Sequence, residues 1–60
     1  MRYMIKGDLS AEYARRLSLA GVLLEARDDH LLIEVSSAEE AAEWASRAPS
    51  GPAEVVSVAR

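Results

Sequence analysis

A two-layer α+β sandwich is the fold class this sequence predicts, with a four-stranded antiparallel sheet carrying two helices on one face. Three observations lead there. The second half of the chain echoes the first: Tyr3-Met4-Ile5-Lys6 returns as Leu31-Leu32-Ile33-Glu34, and Ser10-Ala11-Glu12-Tyr13-Ala14 returns as Ser37-Ala38-Glu39-Glu40-Ala41. Each half runs from a period-two pattern to a helical one and back to an extended one. Between the halves stands a short Asp-rich turn, which joins the two middle strands as a hairpin.

The elements follow in order. Arg2 to Lys6 alternates polar and apolar side chains, as a strand with one buried face does. Gly7-Asp8 breaks it. Ser10 is placed to cap a helix, with Glu12 in the first turn where the helix dipole favours negative charge. Leu9 stands where a hydrophobic staple onto Ala14 would start. The inward stripe of this helix is expected to be Tyr13, Leu17 and Ala20, with Gly21 as the left-handed residue that stops it.

Val22 to Ala26 reads as the second strand and Leu31 to Val35 as the third, joined by Arg27-Asp28-Asp29-His30. The second helix opens with a capping box, Ser37-x-x-Glu40. Its inward face is mostly alanine (Ala38, Ala41, Ala45 and Ala48), with Trp44 supplying bulk. Pro49-Ser50-Gly51-Pro52 ends it, and Glu54 to Ala59 forms the fourth strand.

The order β-α-β-β-α-β has one common solution. Right-handed crossovers put both helices on the same face of the sheet, giving the split-βαβ, ferredoxin-like sandwich with strand order 4-1-3-2. The expected domain is single and spans residues 1–60.

Composition narrows the function classes. Sixty residues bury only about 60% of the surface that the unfolded chain exposes, so a chain of this size gains from reinforcement. Without cysteine, disulfides and thiolate metal sites are excluded, and one histidine excludes an imidazole cluster. Self-association is the reinforcement left. The absence of Asn, Gln and Cys together with Arg in preference to Lys is a trend of thermophile proteins.

The net charge of -3, with Arg15-Arg16 as the one adjacent basic pair, disfavours nucleic acid as the principal partner, because phosphate binding needs clustered cations. No apolar run approaches the length of a transmembrane helix, and charge interrupts the first residues too soon for a signal peptide. A cytoplasmic protein without membrane contact is expected.

No chemistry-bearing constellation stands out. His30 beside Asp28 and Asp29 lacks further convergent groups for acid–base or metal work, and an Asp-rich hairpin tip is ordinarily a solvated turn. Asp8 and Glu12 repel phosphate at the first helix N-terminus. Among domains of this topology, heavy-metal-associated domains carry Cys-x-x-Cys where this chain has Gly7-Asp8-Leu9-Ser10-Ala11. RNA-recognition motifs place stacking aromatics where this chain offers Met4 and Leu32. No catalytic residue, cofactor or metal ligand is therefore expected.

The bare face of the sheet is where a function is expected. Period-two alternation sends Tyr3, Ile5, Val22, Leu24, Leu31, Ile33 and Val35 toward the helices. With Val56 and Val58 also inward, the open face receives Val55, Met4, Leu32 and Leu23, one residue per strand. Arg2, Lys6, Glu25, Arg27 and Glu34 border this stripe. An apolar stripe of this kind marks an interaction surface. The expected function is a small non-enzymatic interaction or regulatory module, self-associating through Met4, Leu23, Leu32 and Val55, with any other protein partner unspecified. The alternative is a nucleic-acid-associated accessory protein using Arg15, Arg16 and Arg47 on the helical layer.

Overall fold

Alternation in β1 (Arg2–Lys6) sends Tyr3 and Ile5 to one side, where both are buried, and leaves Met4 half-buried on the other. The structure, a computed structural model, describes residues 1–58. After β1 come α1 (Ala11–Leu19), β2 (Leu23–Ala26), β3 (Leu31–Glu34), α2 (Ala38–Ser46) and β4 (Glu54–Ser57). The expected continuation of the last strand to Ala59 lies outside the described residues. All strand pairs are antiparallel in the order β2-β3-β1-β4, which is the expected 4-1-3-2 sheet read from its other edge.

Both helices start at serine caps. Ser10 Oγ accepts the Tyr13 N–H at 3.2 Å, and Ser37 Oγ accepts the Glu40 N–H at 3.1 Å. The capping box of α2 closes one residue earlier than expected. Glu40 Oε1 accepts the Ser36 hydroxyl at 2.7 Å and the Ser36 N–H at 3.1 Å, bypassing the backbone of Ser37. Those two bonds, hydroxyl first, hold the Glu40 carboxyl below its ordinary pKa. Helix α1 ends where Gly21 takes a φ of +79°, a conformation that costs glycine little and other residues more.

One core forms on one face of the sheet. Ile5, Leu31 and Ile33 meet Tyr13 and Leu17 of α1 and Ala41 of α2, so both helices cover the same side. The alanines of α2 allow close approach, while Trp44 packs half-buried against this core. The expected helix stripes narrow: Ala20 and Ala38 are exposed, and Ala14 joins the packed set instead. Leu9, expected as a staple, is also exposed.

Two polar ties hold the helical layer to itself and to the loops. Tyr13, only 1% exposed, donates its hydroxyl to the Trp44 carbonyl at 2.6 Å, joining α1 to the last turn of α2. Burial first, and the charge of Asp8 second, push this phenol up to about pKa 12. Asp8 is buried and takes hydrogen bonds from Ser10 N at 3.0 Å, Ser50 N at 3.1 Å and Ser50 Oγ at 2.9 Å. The Ser10 bonds foremost, with those from Ser50, outweigh desolvation and hold its carboxyl down to about pKa 2.

Candidate interaction surface on the open sheet face

Residues directly opposite in an antiparallel ladder point to the same face, so the register assigns every side chain of the sheet. Met4 stands opposite Leu32 on β3 and opposite Val56 on β4. Since Tyr3 and Ile5 face the helices, Met4, Leu32 and Val56 share the open face. The two central residues of the expected stripe, Met4 and Leu32, are thus brought side by side.

The two edge residues are not. Val55 stands opposite the fully buried Ile5 and packs against the core, so Val56 and Val58 take the open side. The cause lies in the loop before β4: the Ala53 N–H donates to the Ala45 carbonyl at 3.0 Å. That bond seats Ala53 against the core, and Val55 follows it inward two residues later.

At the other edge Leu23 stands opposite the buried Ile33 and packs inward as well. A β-bulge then falls between Leu23 and Glu25, so that Glu25 stands opposite Leu32. Leu24 and Glu25 together oppose one residue of β3 and both point to the open side. Leu24, expected inward, is 48% exposed. Val22, although buried, belongs to the connection out of α1, where its N–H donates to the Leu17 carbonyl at 3.1 Å. Alternation counted from Val22 therefore misplaces the strand by one.

The corrected apolar stripe is Leu24, Leu32, Met4 and Val56, again one residue per strand. It is shifted by one position at each edge. Charges flank it in two rows. On one side Arg2 stands opposite Glu34, with Val58 beside Arg2 through an N–H···O bond of 3.0 Å to the Arg2 carbonyl. The Arg2 guanidinium meets Glu34 at 3.1 Å, and the terminal ammonium of Met1 meets it at 2.7 Å. The ammonium first and Arg2 second keep the Glu34 carboxyl below its ordinary pKa.

On the other side Lys6 stands opposite Glu54, and the turn of the hairpin rises beyond it. That turn is closed by the Arg27 N–H on the His30 carbonyl at 2.9 Å. Arg27 pairs with Glu25 at 3.2 Å, and His30 Nδ1 lies 2.7 Å from Asp29. The bond from His30 lowers the Asp29 carboxyl. The turn and the sheet bound an open groove of about 810 Å³ whose floor includes Met4, Leu32 and Val58.

Among the described residues, no three His, Asp or Glu side chains converge closely enough to hold a metal ion. The groove lining around the His30–Asp29 pair holds no serine, threonine, cysteine, lysine or tyrosine. On the helical layer Arg15 is exposed, while Arg16 is paired with Glu12 at 2.8 Å and Arg47 lies over the Trp44 ring at 5.8 Å. No helix among the described residues is long and apolar enough to cross a membrane. Comparison with known protein families, curated proteins and solved structures found no match to this chain.

Proposed function

We propose that this protein is a small interaction module that self-associates through the open face of its sheet. The observation that carries this reading is the stripe of Leu24, Leu32, Met4 and Val56, which crosses all four strands on the side opposite the helices. A sheet with both faces covered buries surface that a 60-residue core lacks. Charges of both signs rim the stripe, so a second copy can meet it without a net electrostatic penalty.

The size of the face sets the strength. Four strands about 4.8 Å apart, each presenting about 16 Å of length, outline on the order of 300 Å² per copy in projection. Twice that area falls below the roughly 1,200 Å² where stable dimers begin. The association is accordingly reversible and shifts with concentration. Sedimentation velocity over a wide concentration range tests it: the wild-type coefficient rises with concentration, and that of Leu32→Lys stays at the monomer value. Thermal melts at low concentration check that the variant is folded. A wild-type chain that stays monomeric throughout contradicts the reading.

A further inference from the structure

Resting on that self-association, we infer that the partner is a second copy placed by a two-fold axis running parallel to the strands, between β1 and β3. Two identical faces can meet through an axis along the strands or an axis across them. The register of the open face distinguishes the two.

An axis along the strands lays β3 over the partner's β1, and β2 over the partner's β4. Leu32 then faces the second copy's Met4, and Leu24 faces its Val56. In the charged rows Glu34 faces Arg2 of the other copy, and Arg27 faces Glu54. The Arg2–Glu34 pair already formed within each chain stacks on its inverted copy, giving four charges of alternating sign. Two contacts lack complementarity: His30 over Lys6, which the neighbouring Asp29 carboxylate offsets, and Glu25 beside Val56, where Arg27 neutralises the carboxylate.

An axis across the strands keeps the apolar stripe on itself but turns one charged row onto the other. Arg2 then faces Lys6, two cations, Val58 faces the carboxylate of Glu54, and Glu25 faces its own copy, while Glu34 over His30 is the favourable contact. Like charges and a desolvated carboxylate against an apolar side chain both oppose association. Charge complementarity therefore selects the axis along the strands.

The chain has no cysteine, so single thiols report the geometry without background. Leu24 and Val56 lie on opposite edges of the sheet, three strand spacings or about 14 Å apart. Leu24→Cys and Val56→Cys chains are prepared separately, given distinct masses, and treated with a short bis-maleimide, alone and mixed. The expected product is a mixed dimer in which the thiol of the Leu24→Cys chain is joined to the thiol of the Val56→Cys chain, with each chain alone remaining at background. Self-cross-linking of the Val56→Cys chain places the axis across the strands and overturns the inference while leaving self-association intact. A wild-type chain monomeric by sedimentation removes both.

A second pair of variants at exposed positions guards against a misfolded cysteine variant. Arg27→Glu and Glu54→Arg each lose self-association, and a mixture of the two regains it. A mixture that remains monomeric, from variants that melt as the wild type does, also overturns the inference.

Discussion

Asp8 receives both the backbone N–H and the hydroxyl of Ser50, 42 residues further along the chain. The carboxylate thereby ties the β1–α1 loop to the loop between α2 and β4, and a third bond from Ser10 N anchors it at the start of α1. Burying a carboxylate is costly unless it is fully hydrogen-bonded, so the three donors are what permit it here. The two halves of the chain are joined at this point by polar chemistry as well as by the common core.

This tie makes stability acid-sensitive in a defined window. The folded carboxyl titrates at about 2 against an ordinary 3.8, so the folded state favours the charged form. Its contribution is fully present above pH 4 and is lost as pH falls toward 2, amounting to about 2 kcal/mol. Urea denaturation at pH 7 and pH 2.5 checks it. Asp8→Asn, whose amide cannot accept all three bonds, loses about that much at pH 7 and shows a flatter acid dependence. An Asp8→Asn curve parallel to the wild type would show that other carboxylates carry the acid response.

Tyr13→Phe removes the hydroxyl that meets the Trp44 carbonyl and costs about 1 kcal/mol. It also alters the alkaline limb. Because the folded phenol is raised to about 12, its contribution is complete below the ordinary value of 10 and disappears as pH rises through 12. Chemical denaturation between pH 8 and pH 11.5 measures both effects. The phenylalanine variant is less stable at pH 8, and the gap closes on the alkaline side.

Two adjacent leucines of β2 differ in role. Leu23 packs on the core, whereas Leu24 points to the open side. Leu23→Ala therefore destabilises the monomer by about 1–2 kcal/mol, and Leu24→Ala changes it by less than about 0.5 kcal/mol. The same contrast holds for Val55→Ala and Val56→Ala on β4. Melts at low concentration read the monomer, and sedimentation at high concentration reads the association. Equal destabilisation by Leu23→Ala and Leu24→Ala would contradict the register described above.

How far the sequence foretells this differs between the middle of the sheet and its edges. For β1 and β3 the alternation of Tyr3, Ile5, Leu31 and Ile33 against Met4 and Leu32 identifies both faces, because these strands have neighbours on both sides and no irregularity. Period two alone does not say which face an edge strand turns inward, and a slip of one residue inverts it. In β2 the slip comes before the strand, where the buried Val22 of the connection is followed by a second inward residue, Leu23, and in β4 from the bond between Ala53 and Ala45, a contact between two elements. Asp8 reads as a simple strand breaker because its partner Ser50 lies too far along the chain for a local pattern to reveal. The apolar character of the open face is legible nonetheless, since β2 and β4 each carry hydrophobic residues of both parities.

A dilution series of backbone amide and methyl NMR spectra reports, residue by residue, whether the open sheet face is the surface of contact. Concentration-dependent shifts are expected at Leu24, Leu32, Met4 and Val56 and their charged flanks, with the helical layer unchanged. Shifts confined to the exposed faces of α1 and α2 around Arg15, Arg16 and Arg47, or spectra that do not change with concentration, would contradict it.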